Sequence, residues 1–259
     1  MDLGIEGRKA IVCASSKGLG RACAAALAEA GCEVVINGRD AALLDKAAEE
    51  IRRATGAKIV AIAADVGTEA GRAALVEACP DADILVNNNG GPPRRNFREI
   101  DHAGLIAGVE ANMIAPIALI QALIDGMIER KFGRIVNITS GSVKAPLPGL
   151  DLSSGARAGL TGFVAGVARE VAAANVTINQ ILPGAFDTDR LKEGAKGAAA
   201  RTGKSFEEIW AARLADIPAK RYGDPAEFGA LCAFLASAQA GYITGRNFLI
   251  DGGAFPGAF

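Results

Sequence analysis

Seven short runs of apolar, largely β-branched residues punctuate the chain, at 9–14, 33–37, 58–63, 83–87, 134–139, 177–182 and 247–250. Each is apolar almost throughout rather than at alternate positions, which is the pattern of strands covered on both faces. Between them, 19–30, 41–55, 69–78, 105–130, 155–174 and 225–236 are Ala-rich with apolar residues at helical period. Strand and helix alternating at this spacing require right-handed crossovers and a parallel sheet. The pattern predicts an α/β fold, a doubly wound parallel sheet of about seven strands with helices on both faces. No linker or repeat divides the chain, so residues 1–259 read as a single domain. The Gly- and Lys-rich stretch 193–204 reads as a mobile insertion ahead of the last helices.

Composition narrows the function classes. Half the residues are apolar, ample for a core, and the formal charge of −1 is spread along the chain. A nucleic acid or anionic membrane surface requires a concentrated basic stripe, so neither is expected as a partner. No apolar run is read as reaching the ~18–20 residues of a membrane span. Met1-Asp2-Leu3-Gly4 lacks the basic and apolar regions of a signal peptide. The five cysteines (Cys13, Cys23, Cys32, Cys79, Cys232) form neither CxxC pairs nor a Cys/His cluster. No metal and no disulfide framework is expected, and reduced thiols fit a cytoplasmic protein. His102 is the only histidine, which excludes chemistry needing two.

The first predicted strand runs into Ser15-Ser16-Lys17-Gly18-Leu19-Gly20, and a helix follows. A strand, a Gly-rich turn and a helix bring backbone N–H groups and the helix N-terminus to one point, where a pyrophosphate binds. A lone Gly-x-Gly also marks an ordinary tight turn, but here it opens a βαβ series, the context the motif requires.

From Cys13 to Gly20 the loop resembles the Thr-Gly-x-x-x-Gly-x-Gly signature of the short-chain dehydrogenases/reductases, with Cys13 and Ala14 for Thr-Gly. Further family motifs follow in order. Asp65-Val66 resembles the pair that touches adenine, and Asn87-Asn88-Asn89-Gly90 the Asn-rich turn after the fourth strand. Asn112 matches the catalytic asparagine and Ser140 the catalytic serine. Pro183-Gly184 and Thr188 match the segment beside the nicotinamide. The resemblance covers essentially the whole chain. It implies a Rossmann-type domain, a dinucleotide cofactor, a small carbonyl or alcohol substrate, and a mobile substrate lid around 186–215.

NAD-selective sites place Asp or Glu at the end of the second strand for the ribose 2′-hydroxyl. This chain has Gly38-Arg39 there and Lys17 in the phosphate loop. Two cations converging on the 2′ position match a phosphate, so NADP (NADPH) is expected over NAD.

The family reduces carbonyls with an Asn-Ser-Tyr-Lys set, the tyrosine giving a proton and the lysine lowering its pKa and holding the ribose. Counting thirteen residues on from Ser140 reaches Ser153, and four more reach Arg157. The member is therefore atypical, with Ser153 and Arg157 at the places of the tyrosine and lysine. A serine is shorter and far less acidic than a phenol, and losing a positioned general acid typically costs about 10²–10⁴ in rate. Arg157 can still bind the cofactor through its ribose, as the lysine does, and is one replacement for the donor, stabilising a developing alkoxide. Lys144 is a second, or a solvated loop residue. Asp151 reads as a helix cap, Ser153 as a cap or a substrate contact, and Ser142 as undecided between the two. Tyr222 and Tyr242 read as structural. Three functions stay open: an NADP-dependent oxidoreductase with a non-standard proton donor, an NADP-binding sensor without turnover, and a lyase or isomerase on the same scaffold.

Arg94 and Arg95, after Gly91-Pro92-Pro93, border the cleft and suit an acidic substrate or plain solvent. Gly155, Gly159, Gly162 and Gly166 weaken one predicted helix. Close packing would offset that cost, and with the small residues Ala107, Gly108, Ala111 and Ala115 it points, as in the family, to a homodimer or homotetramer.

Overall fold

The computed structural model describes residues 2–92 and 94–257. Seven parallel strands form one sheet: β1 (Lys9–Val12), β2 (Glu33–Gly38), β3 (Ile59–Ala63), β4 (Ile84–Asn87), β5 (Gly133–Ile138), β6 (Val176–Pro183) and β7 (Asn247–Ile250). Their spatial order is β3-β2-β1-β4-β5-β6-β7. This is the doubly wound arrangement the periodicity predicts, with the order in which strands are added across the sheet reversing between β1 and β4. The central strands are buried at nearly every position because helices cover both faces.

One layer holds α1 (Gly18–Glu29), α2 (Ala41–Thr55) and α9 (Pro225–Leu235) over a core of Val12, Leu27, Ile36 and Phe228. The other holds α3 (Glu69–Ala78), α5 (Ala115–Glu129) and α6 (Asp151–Val171) over Ile11, Leu85, Leu123 and Ile178. Each such side chain contributes about 1.5–3 kcal/mol through burial. All five cysteines are free and buried in these layers. Small residues on α1 let α9 approach closely: a Cβ on Gly229 would lie 2.5 Å from the Ala22 carbonyl oxygen.

Three expectations need correction. The predicted helix 105–130 is interrupted: α4 (His102–Val109) passes through a π-helical turn, Glu110–Ile114, into α5. The run His102–Glu129 is nevertheless long and apolar enough, by length and composition, to cross a membrane. The apolar-run reading missed this, because glycines, alanines and a few polar residues dilute the stretch; in the fold it packs on α3, α6 and the sheet. Finally, the stretch 193–204, read as an insertion ahead of the last helices, is itself helical as far as Thr202. It lies in α7 (Asp189–Thr202), which pairs with α8 (Phe206–Ala215), because alanine content and caps from Thr188 and Ser205 outweigh the glycines.

Candidate active site

The phosphate loop leaves β1 through Ala14 at φ 46 and enters α1 through Gly18 at φ +60. The left-handed region costs a non-glycine residue about 1–2 kcal/mol, a strain held here by the surrounding bonds. Ser15, fully buried, donates to the Val12 carbonyl at 2.7 Å and accepts from Asn37 N at 2.9 Å. Its side chain braces the loop rather than facing the cleft. No side chain caps α1, so the amide groups of its first turn stay available to a ligand. A Cβ on Gly20 would lie 2.4 Å from the Ala14 carbonyl oxygen, so only glycine allows this approach.

Beside the loop lies a cavity of about 280 Å³ lined by Ser16, Lys17, Gly18, Leu19, Arg39, Asp65, Val66, Asn88, Asn89, Gly90 and Thr188, among others. Lys17 and Arg39 border it together. Arg39 is mostly exposed, with only a long 3.9 Å pairing to Asp65. Asn88 Nδ2 donates to the Ala14 carbonyl at 3.1 Å and ties the Asn-rich turn to the phosphate loop. Pro183 and Gly184 are not among the lining residues, and Gly184 N donates to the Ile250 carbonyl at 2.9 Å. The Thr188 hydroxyl caps α7 by accepting from Leu191 N at 3.3 Å. The sequence reading missed Arg190, which lines this cavity and donates to the Gly91 carbonyl at 3.2 Å. Its signal was a cation in the first turn of a helix, where the dipole disfavours it.

A second cavity of about 280 Å³ adjoins the first and is lined by Asn112, Ser153 and Arg95, with apolar walls from Ile100, Ala107, Leu150 and Leu152. Asn112 sits on the π turn, donates to the Gly108 carbonyl at 3.2 Å, and keeps a buried Oδ1 with no partner among the described residues. Such turns recur where a helix must re-aim a functional side chain.

Arg157 is buried behind Ser153. Its Nε donates to Ser153 Oγ at 3.2 Å and its Nη1 to the Ile138 carbonyl at 2.6 Å. Burial first, then the nearby Arg190, pushes its pKa down to about 10. Neither Ser153 nor Asp151 is a cap. Leu150 holds the cap position, so α6 begins at Asp151 and carries Ser153 inward. Ser140 Oγ accepts from Ser142 N at 3.1 Å and from Ser142 Oγ at 2.9 Å, and Ser154 Oγ donates to Ser142 Oγ at 2.9 Å. Three hydroxyls thus form a chain ending at Ser140, which is itself not among the residues lining either cavity. Lys144 lines neither cavity; its Nζ lies 5.7 Å from the Phe255 ring centroid. Tyr222 donates to the Trp210 carbonyl at 2.8 Å, and Tyr242 is fully exposed.

Fold and site together define a dinucleotide-binding α/β protein with a polar cleft at the carboxyl ends of its strands. A family profile described as Enoyl-(Acyl carrier protein) reductase matches residues 13–254. The chain is 34% identical to the 3-oxoacyl-[acyl-carrier-protein] reductase FabG of Vibrio cholerae, over 98% of this chain and 99% of that one. It is 33% identical to the acetoacetyl-CoA reductase of Allochromatium vinosum, over 96% and 98%. Its structure matches the L-sorbose reductase of Gluconobacter frateurii, complexed with NADPH and L-sorbose, at a TM-score of 0.94 and 30% identity, covering 99% of this chain and 100% of that one. The chain belongs to the short-chain dehydrogenase/reductase family. By class it is an NAD(P)-dependent oxidoreductase.

Proposed function

We propose that the protein is an NADPH-dependent carbonyl reductase in which Ser153 and Arg157 stand where the family pattern has tyrosine and lysine, with Asn112 and Ser140 completing the site. The observation that carries this reading is the buried Arg157, hydrogen-bonded to Ser153 Oγ at 3.2 Å. The glycine cradle at Gly20 and the uncapped start of α1 fit a pyrophosphate. Lys17 and Arg39, with Gly38 in place of an acid, favour a 2′-phosphate. Asp65, Val66, Asn88, Asn89 and Gly90 line the rest of the cofactor cavity, with Thr188 beside Gly18.

When bound, the cofactor supplies the hydride that converts a carbonyl to an alcohol, leaving NADP⁺. The protein's own groups manage the oxygen and its proton. Ser153 Oγ already accepts from Arg157, so its own proton points to the substrate oxygen. Ser140 accepts two bonds from Ser142 and likewise keeps its proton for that oxygen. The guanidinium stabilises negative charge growing on the oxygen, and the Ser154–Ser142–Ser140 chain replenishes the proton. With both tyrosines engaged elsewhere or exposed, no phenol competes for this role among the described residues.

The assembly is read as a homodimer or homotetramer. Leu105, Ile106, Ile114 and Phe163 are exposed, and no atom approaches a Cβ built on Gly155, Gly162 or Gly166. Gly159, by contrast, meets Met113 within the chain and Gly108 meets Leu152, so part of the small-residue face is internal. Free buried thiols suit the cytoplasm.

NADPH oxidation with aldehydes, α-diketones and quinones tests the reading. Wild type turns over; Arg157→Ala binds NADPH but loses about 10²–10³ in kcat, the typical cost of an oxyanion donor. A Ser153→Tyr/Arg157→Lys variant active where wild type is silent, in spite of NADPH binding, would instead favour a cofactor-binding sensor, and conversion of a substrate without NADPH oxidation a lyase or isomerase.

A further inference from the structure

Beyond the reaction class, the second cavity carries information about what enters it. Among its lining residues Arg95 alone is charged, and Asn112 and Ser153 supply the other polar side chains. The Arg95 guanidinium makes no hydrogen bond or ion pair among the described residues. Among the described residues no carboxylate lies within ion-pair distance of Arg94, Arg190, Arg201 or Arg213 either. Burial and the positive charges of Arg213, Arg201 and Arg190 hold the Arg94 guanidinium below its usual pKa. Cations gathered at one rim without counter-charge repel each other, and an anionic ligand relieves that repulsion.

The rim is also closed over. Arg95 N donates to the Gly149 carbonyl at 3.2 Å, Arg94 Nη1 reaches the Pro148 carbonyl at 3.5 Å, and Arg190 from α7 donates to the Gly91 carbonyl at 3.2 Å. These ties strap the loop after β4 to the loop before α6 and to α7. A cavity of 280 Å³ is about 8 Å across if rounded, at the small end of ligand pockets. A long thioester tail would have to break the ties to pass.

Resting on the reductase reading above, we propose that the substrate is a compact oxo acid: its carbonyl meets Asn112 and Ser153, its short apolar stem packs on Ile100, Leu150 and Leu152, and its carboxylate pairs with Arg95 under the field of Arg94 and Arg190. A phosphate on a pantetheine-type thioester offers the same arginines an anion, so the test separates the two sources.

Calorimetric titration of 4-methyl-2-oxopentanoate, its methyl ester and acetoacetyl-CoA, each with and without NADPH, reads binding independently of turnover. The acid is expected to bind about 10–100-fold more tightly than the ester, the worth of one charge-assisted pair. Arg95→Gln, which keeps the side-chain stem, and Arg95→Ala bring that ratio toward one, while Arg95→Lys restores part of it. Equal binding of acid and ester, a ratio that survives in Arg95→Ala, or tighter binding of the thioester each overturns the proposal. A failed NADPH titration strikes instead at the reductase reading, and the cofactor-free comparison of acid and ester still decides the role of Arg95.

Discussion

Arg157, in the proposed mechanism, supplies a charge that stays in place through neutral pH. Buried, and bonded to the Ile138 carbonyl and Ser153 Oγ, it supports a hydroxyl that does not ionise near neutrality. A tyrosine–lysine pair titrates as a unit; serine and asparagine do not. Reduction is therefore expected to proceed at constant kcat/KM from about pH 6 to 9, because none of Asn112, Ser140, Ser153 and Arg157 changes charge there. Activity falls only as pH nears about 10, where Arg157 begins to lose its proton. The same lowered pKa means that burial of the cation costs stability in full below about pH 10. Above it the unfolded chain binds more protons than the folded one, and the cost relaxes. A bell-shaped profile centred near neutrality would identify another acid. Asn112, Ser140, Ser153 and Arg157 were named from the family resemblance and an interval counted from Ser140; of these, Asn112 and Ser153 line the second cavity and Arg157 is bonded to Ser153. The bracing role of Ser15 and the placement of Arg190 were not legible, since each depends on a partner 22 or more residues away.

At the scale of elements, two helix pairings set the site. The π turn at Glu110–Ile114 packs on α6 and brings Asn112 to the cavity that Ser153 also lines. On the other face α1 and α9 meet backbone to backbone at Ala22 and Gly229, which holds the phosphate loop at the start of α1. Gly229→Ala places a methyl group against the Ala22 carbonyl and is expected to cost about 1–3 kcal/mol, typical of overpacking, with weakened NADPH affinity as α1 shifts. Thermal denaturation with a cofactor titration checks both effects, and an unchanged Tm would show that the helices can part freely. Strands were legible within one or two residues because their apolar runs are bounded by polar or Gly residues. The π turn was not: Glu110-Ala111-Asn112-Met113-Ile114 continues a helical pattern, and the extra residue per turn leaves no mark in periodicity.

For the whole molecule, the exposed apolar side chains of α4, the π turn and α6 predict association. Ile106→Glu with Phe163→Glu is expected to shift elution to the monomer in size-exclusion chromatography without unfolding the chain, since both side chains are exposed. Gly166→Ala adds a sharper sign. In water it would raise stability by about 0.8–1 kcal/mol, whereas against a partner's backbone it weakens the assembly. Weakened assembly is the expected outcome.

The burial of every cysteine turns the chain into its own clock. Burial pushes the thiols of Cys13 and Cys32 up to about 12 and that of Cys79 to about 11, and raises Cys23 where it hydrogen-bonds Cys232. An alkylating reagent reacts with thiolate, so in the native state it must wait for a layer to open. Cys23 and Cys232 then time the parting of α1 from α9, Cys79 the fraying of α3, and Cys13 the release of the phosphate loop. Labelling followed residue by residue in a mass spectrometer should show a bound dinucleotide slowing Cys13 first, a measure of cofactor grip that needs no substrate at all.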